Sequence, residues 1–154
     1  MIQSYKPQLK DLWFRQKMLE DPETMSYNQA WGGVISFPKE RWEDWYRRWV
    51  LAPDDERYYR YLQDDTGTFL GEIAYHYDPE LDAHLANVII YAPYRSKGFG
   101  SKGLDILCQA AKANGISEIY DNIAIDNSAV DLFLMHGFHE EYRTEEIIML
   151  KKEL

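Results

Sequence analysis

The spacing of hydrophobic positions changes several times along the chain, and each change predicts an element. From Gln8 to Leu19, the residues Leu9, Leu12, Trp13, Gln16 and Leu19 fall roughly on one side of a helix. Asp21-Pro22 ends it, because the residue before a proline disfavours helical backbone. Residues 22–37 read as loop, with Gly32-Gly33 as a flexible point. A second helix opens at Pro38, and Trp42, Trp45, Tyr46 and Trp49 recur along it at helical spacing, a stripe suited to core packing. Near residue 57 the period becomes two. Tyr58 to Gln63 and Thr68 to Tyr77 flank Asp64-Asp65-Thr66-Gly67, which predicts a hairpin. Asp78-Pro79-Glu80 turns the chain again, and Ala83 to Tyr91 extends the hairpin into an antiparallel meander. Gln3 to Lys6 reads as a short first strand.

Gly98 to Asn114 returns to helical spacing, with Leu104, Leu107, Cys108 and Ala111 as its stripe and Gly115 as its stop. Ile119 to Ile125 is a largely apolar strand, so strand, helix and strand form a right-handed crossover with parallel strands. Asn127 or Ser128 caps a short helix running through Met135, and Phe138 to Arg143 and Ile147 to Leu150 are closing strands. The predicted class is α+β: a single mixed, mostly antiparallel twisted sheet with helices on both faces. With no repeat, low-complexity tract or linker, residues 1–154 read as one domain.

Composition narrows the function. At 154 residues and 45% apolar, the chain can bury a full core and is not disordered. The longest strongly apolar stretch, around Val88 to Tyr91, is too short for a bilayer, and residues 1–6 lack an apolar signal region. A single cysteine, Cys108, excludes an internal disulfide framework and a multi-cysteine zinc site. A cytoplasmic protein with no membrane partner is expected. The net charge of −9 argues against a nucleic-acid partner. That charge is uneven: residues 1–64 hold 10 basic and 11 acidic residues, residues 65–154 hold 7 and 15. Within the acidic part, Arg95, Lys97 and Lys102 cluster.

That cluster lies in Tyr91-Ala92-Pro93-Tyr94-Arg95-Ser96-Lys97-Gly98-Phe99-Gly100-Ser101-Lys102, where a strand passes through a glycine-containing turn into a helix. The first amides of a helix have no intrahelical acceptor, and with the helix dipole they form an anion site suited to phosphate. Gly98-x-Gly100-x-x-Gly103 matches a dinucleotide fingerprint, but it follows an antiparallel meander rather than the first strand of a parallel sheet. A Walker loop is excluded because no Gly-Lys-Ser/Thr follows the glycines.

Arg95-x-x-Gly98-x-Gly100 resembles the acetyl-CoA signature R/Q-x-x-G-x-G/A of the GNAT superfamily of N-acetyltransferases. Asp126 to Phe138 resembles that superfamily's second cofactor segment, N-x-x-A-x-x-L-Y-x-x-x-G-F, and the order of elements matches along nearly the whole chain. The resemblance implies an acyl-CoA N-acyltransferase-like fold. It implies acetyl-CoA as co-substrate, no metal, and direct attack of an amine on the acetyl carbonyl in a ternary complex. A bulged strand at Ile89, Ile90 and Tyr91 would pair with the pantetheine arm and leave a gap for the thioester. Arg95, Ser96, Lys97, Gly98, Phe99, Gly100 and Ser101 would bind the cofactor, with the backbone amides of Lys97 to Ser101 cradling the pyrophosphate, and Asn127 and Phe133 would flank the pantetheine. The sequence departs from the pattern in two places. Asp126 stands at the motif's asparagine, with Asn127 one residue off register, and Phe133 replaces a tyrosine whose hydroxyl protonates the leaving thiolate. Either another hydroxyl serves, Tyr142 or Tyr91, or the thiolate leaves without an acid, or the enzyme is weak or inactive.

Glu72, which shares a strand face with Ala74 and His76, is the first candidate for the base; His84 is the second. Tyr27, Asn28 and Trp31 lie in the loop that recognises substrate in the superfamily. His136 and His139 have ligand-like spacing but only Glu140 nearby, so no metal site is expected. The leading expectation is an N-acetyltransferase acting on a small, cationic amine, and a homodimer is compatible with it. Its rivals are a peptide or protein N-acetyltransferase, a non-catalytic acyl-CoA-binding or sensor domain, and a nucleotide-binding module.

Overall fold

The computed structural model describes residues 1–154, the side chain of Ala30 excepted. Seven strands form one sheet in the order β1-β2-β3-β4-β5-β7-β6. They are β1 (Gln3–Tyr5), β2 (Arg57–Gln63), β3 (Phe69–Asp78), β4 (Ala83–Ile90), β5 (Glu118–Ala124), β6 (His139–Arg143) and β7 (Ile147–Glu153). The helices are α1 (Trp13–Glu20), α2 (Trp42–Trp49), α3 (Phe99–Ala113) and α4 (Ala129–Met135). β4 and β5 run parallel, joined through α3; the other neighbouring strands run antiparallel. Among the described residues, no helix is long and apolar enough to cross a membrane.

The alternation along β3 divides the core in two. Ile73 and Tyr75 join Leu104, Leu107, Cys108 and Ala111 of α3 and Phe133 of α4 on one face. Ala74 joins Phe14 and Met18 of α1 and Trp45 of α2 on the other, beside Tyr59, Tyr61 and Ile89. Trp45 is the buried member of the tryptophan stripe and meets the Tyr59 ring edge-on at 4.7 Å.

Three features differ from expectation. The first helix begins as a 3-10 turn, Leu9–Leu12, where Asp11 accepts the Gln8 amide at 2.9 Å and the Tyr5 hydroxyl at 2.7 Å. The segment read as loop contains a second such turn, Ser26–Trp31. The bulge expected at Ile89, Ile90 and Tyr91 is absent from the β3–β4 ladder, whose register runs unbroken from Gly71↔Ile90 to Asp78↔Ala83. The Tyr91 amide then donates to the Leu70 carbonyl at 2.9 Å. The gap opens instead on the other side of β4, where the register with β5 is the single pair Leu85↔Tyr120. Beyond that pair the two strands form a fork.

Gly71 keeps β4 closed against β3, since a Cβ there would collide with the Ile89 carbonyl oxygen. Gly71→Ala should therefore cost about 1–3 kcal/mol, as overpacking does, and loosen the β4 side of the fork. A lowered melting temperature with weaker acetyl-CoA binding checks this.

Candidate active site

β4 leads through a short 3-10 turn, Ala92–Tyr94, into α3. Two residues on the way adopt left-handed backbone, Ser96 at φ 64° and Gly98 at φ 86°. Gly98 takes this conformation without strain, whereas Ser96 holds it at a cost typical of functional turns. Together they curl the chain so that the amides of Ser96 to Ser101 find no acceptor among the described residues; the first satisfied amide is that of Lys102, on the Gly98 carbonyl at 3.2 Å. Six consecutive N–H groups at a helix start are a concave anion site.

The turn opens onto a cavity of about 1110 Å³ at the fork between β4 and β5. Ile89, Ile90, Arg95, Ser96, Gly98, Phe99, Gly100, Asn127 and Phe133 line it, as do Glu72, Tyr27, Asn28 and Trp31. Asn127 Oδ1 accepts the amide of Ala129, the first residue of α4, at 2.9 Å. Phe133 is buried against the edge of Phe138, ring centroids 4.9 Å apart.

Four expected site residues lie outside the lining: Tyr91, Lys97, Ser101 and Tyr142. Lys97 is exposed. The Ser101 hydroxyl is 2.7 Å from His136 Nε2, whose Nδ1 is 2.8 Å from Asp105, so this side chain ties α3 to the end of α4. Arg95 lines the cavity, but its guanidinium donates to the carbonyls of Ile90, Glu23 and Thr24 at 3.1, 3.2 and 2.6 Å. It braces the loop after α1 against the end of β4, leaving backbone amides as the turn's anion donors.

The acetyltransferase (GNAT) family model matches residues 12–138. The chain belongs to this family. Solved structures of the same fold include the spermidine N-acetyltransferase of Vibrio cholerae in complex with CoA and spermine, at TM-score 0.81 and 18% identity, covering 99% of this chain and 95% of that one. The PaiA N-acetyltransferase of Thermoplasma acidophilum in complex with coenzyme A aligns at TM-score 0.74 and 16% identity, over 100% and 99% of the two chains. A putative phosphinothricin N-acetyltransferase aligns at TM-score 0.75 and 18% identity, over 100% and 99%. No curated protein sequence matches.

Within this acetyltransferase, the titratable groups of the cavity divide sharply. Glu72 lies on the cavity face of β3 but is fully buried, not solvated. Arg15 Nη1 donates to both carboxylate oxygens, at 3.1 and 3.0 Å. The Arg15 guanidinium stands 4.2 Å from the Trp45 ring centroid, with Phe37 at 5.2 Å and Tyr59 at 5.4 Å. Burial opposes the Arg15 charge, but Glu72 and the Tyr59 and Tyr61 hydroxyls outweigh it and raise its pKa. Glu72 is therefore held in an ion pair with Arg15 and does not stand free in the cavity.

The Tyr59 hydroxyl is buried without a hydrogen-bond partner among the described residues, and burial, then the Glu72 charge, pushes its pKa well up. The same two causes push Tyr27 up to about 12. Both phenols stay protonated near neutrality. Burial holds His76, beside Trp49, below the usual imidazole range. His84, the second base candidate, does not line the cavity; its Nε2 is 2.7 Å from the Asp55 carbonyl.

Tyr142 stands on the outer strand β6 opposite Met149, 48% exposed, with β7 and β5 between it and the fork. The structure removes it as a proton donor in the cavity. The Tyr91 ring likewise packs against Phe14 and Tyr94 instead of facing the cavity.

Asp121 lines the cavity and has no ion-pair partner among the described residues. Sequence reasoning passed over it because β5 reads as an apolar strand. The signal was an acid at the same parity as Ile119 and Ile123, both buried. No group of three or more metal-ligating side chains occurs among the described residues.

Proposed function

We propose that this protein transfers the acetyl group of acetyl-CoA to a primary amine of a small molecule, by direct attack in a ternary complex. The observation that carries this reading is the row of acceptorless amides from Ser96 to Ser101, opening onto the cavity at the β4–β5 fork. In this reading the amides hold the pyrophosphate and Ile89 and Ile90 wall the pantetheine channel. Asn127 and Phe133 flank its far side. The thioester lies in the fork, and proximity supplies much of the rate.

Tyr27, Asn28 and Trp31 form the acceptor side. Asn28 is fixed there by donating to the Gly33 carbonyl at 2.8 Å, and Trp31 stays 60% exposed. The cavity carries the carboxyls of Glu72, Asp121 and Asp126 against the cations Arg15 and Arg95, a balance that favours a cationic acceptor. The fold is shared with a spermidine N-acetyltransferase, in keeping with that class of amine.

One observation favours a non-catalytic acyl-CoA-binding domain: Phe133 offers no hydroxyl beside the cavity. Steady-state release of free CoA across a panel of polyamines, amino acids, aminoglycosides and peptide N-termini decides between the two. Turnover on a small amine, at a kcat of about 1 s⁻¹ or more, is the expected result. Tight acetyl-CoA binding without turnover on any amine supports the binding domain, and preference for peptides redirects the assignment to protein N-termini.

A further inference from the structure

We propose that Asp121, not Glu72, accepts the proton that the acceptor amine loses; this rests on the acetyltransferase reading above. Leu85↔Tyr120 is the register pair joining β4 to β5, so Asp121 is the first residue beyond the point where the fork opens. Asp121 lines the same cavity as Glu72 and Tyr27, so β5 and the Ser26–Trp31 turn border one space.

The two carboxylates differ in what protonation would do. A proton on Glu72 would leave Arg15 as a bare cation among Phe37, Trp45 and Tyr59. A proton on Asp121 strands no cation, because it has no ion-pair partner among the described residues. Burial also lifts the Asp121 pKa well above the ordinary carboxylate value, the direction that makes a carboxylate a better proton acceptor. Paired carboxyls in environments of opposite character mark separate roles. Here Glu72 with Arg15 is a fixed wall, and Asp121 is the group able to change its charge. The other titratable groups facing the cavity are Arg15, Tyr27, Tyr59, His76, Tyr94, Arg95 and Asp126, from α1, the loop after it, β2, β3 and the turns after β4 and β5.

In the step, the Asp121 carboxylate takes one proton from the acceptor ammonium. The neutral nitrogen then attacks the thioester carbonyl carbon. The C–N bond forms, the C–S bond breaks, and the thiolate leaves with the electron pair. The surplus proton on nitrogen passes to the thiolate, giving free CoA, and Asp121 returns its own proton to water.

The test compares Asp121→Asn with the wild-type chain, using acetyl-CoA and the best amine of the panel. The kcat should fall about 100-fold, the usual effect of losing a positioned base, with the acetyl-CoA Kd within threefold of wild type. A base must be deprotonated to act, so wild-type kcat/KM should fall as pH drops through the Asp121 pKa, and Asp121→Asn should lose that acidic limb. Asp121→Leu is the folding control: flanked by Ile119 and Ile123, it should melt no lower than wild type and be equally inactive. A variant retaining more than a third of wild-type kcat, or keeping the acidic limb, overturns the proposal. So does loss of the alkaline limb instead, which marks an acid, or activity lost in step with acetyl-CoA affinity or melting temperature. Those results leave the acetyltransferase reading standing; absence of wild-type turnover on every amine overturns both.

Discussion

Gly100→Glu should abolish acetyl-CoA binding while leaving the chain folded. Gly100 lines the cavity in the first turn of α3, between amides that have no acceptor of their own. A Cβ at this position would meet Leu132 Cδ2 at 3.4 Å and Ile90 Cγ1 at 3.9 Å, contacts the side chains can absorb with a small shift. Glutamate also forms helix better than glycine, and an acid in the first turn complements the helix dipole. The apo protein should therefore melt within about 3 °C of wild type, since one kcal/mol moves a domain of this size by roughly 2–4 °C. The ligand loses on two counts. In the proposed reading, the new carboxylate takes up the N–H groups that hold the pyrophosphate, and it repels that group at short range. Each hydrogen bond to a charged group is worth about 1.5–3 kcal/mol, so losing two or three raises Kd by about 100-fold or more. Calorimetric titration with acetyl-CoA reads this directly, and the ligand-induced rise in melting temperature should vanish with it. Unchanged affinity would show that the turn is not the pyrophosphate site.

What the sequence made legible and what it hid follow from the range of the interactions. The helical stripe of α3 and the alternation of β2 and β3 are local patterns, and the elements stand where those patterns lie. The parallel crossover followed from strand, helix and strand in that order. The 3-10 turns carry no hydrophobic signature because bonds within a few residues hold them, such as the Gln8 amide on the Asp11 carboxylate. The partners that decide side-chain roles are distant in sequence. Arg95 finds its carbonyls at Glu23 and Thr24, and Glu72 finds Arg15 on α1, the helix that covers its own sheet face. A motif can name Arg95 as part of a cofactor turn; only the fold shows its donors occupied. Glu72 is the converse case: strand alternation put it on the cavity wall, and nothing local announced the cation that neutralises it. Asp121 was visible in the sequence, but an acid inside an apolar strand acquires meaning only once β4 and β5 are seen to part beside it.

Glu72→Gln should act on stability before it acts on chemistry. Glutamine keeps the shape of glutamate but not its charge, so Arg15 is left without its counter-ion. The Arg15 side chain is 17% exposed and that of Glu72 1%, so water cannot replace the lost partner. Arg15 Nε is already buried without a hydrogen-bond acceptor among the described residues. The nearby Trp45 face returns only about 0.5–2 kcal/mol of cation–π attraction, which both forms enjoy. Removing one member of a buried pair costs about 3–5 kcal/mol, which at roughly 2–4 °C per kcal/mol lowers the melting temperature by about 10 °C. Removing both charges should be milder, because the stranded cation is gone: Arg15→Met with Glu72→Gln should recover at least half of the loss in urea unfolding. Below the melting transition, Glu72→Gln should keep the acidic limb of the pH–rate profile, since the group that titrates is Asp121. A variant that melts within about 2 °C of wild type yet loses 100-fold in kcat would reverse these roles. Glu72 would then be the proton acceptor, and Arg15 a device for placing it.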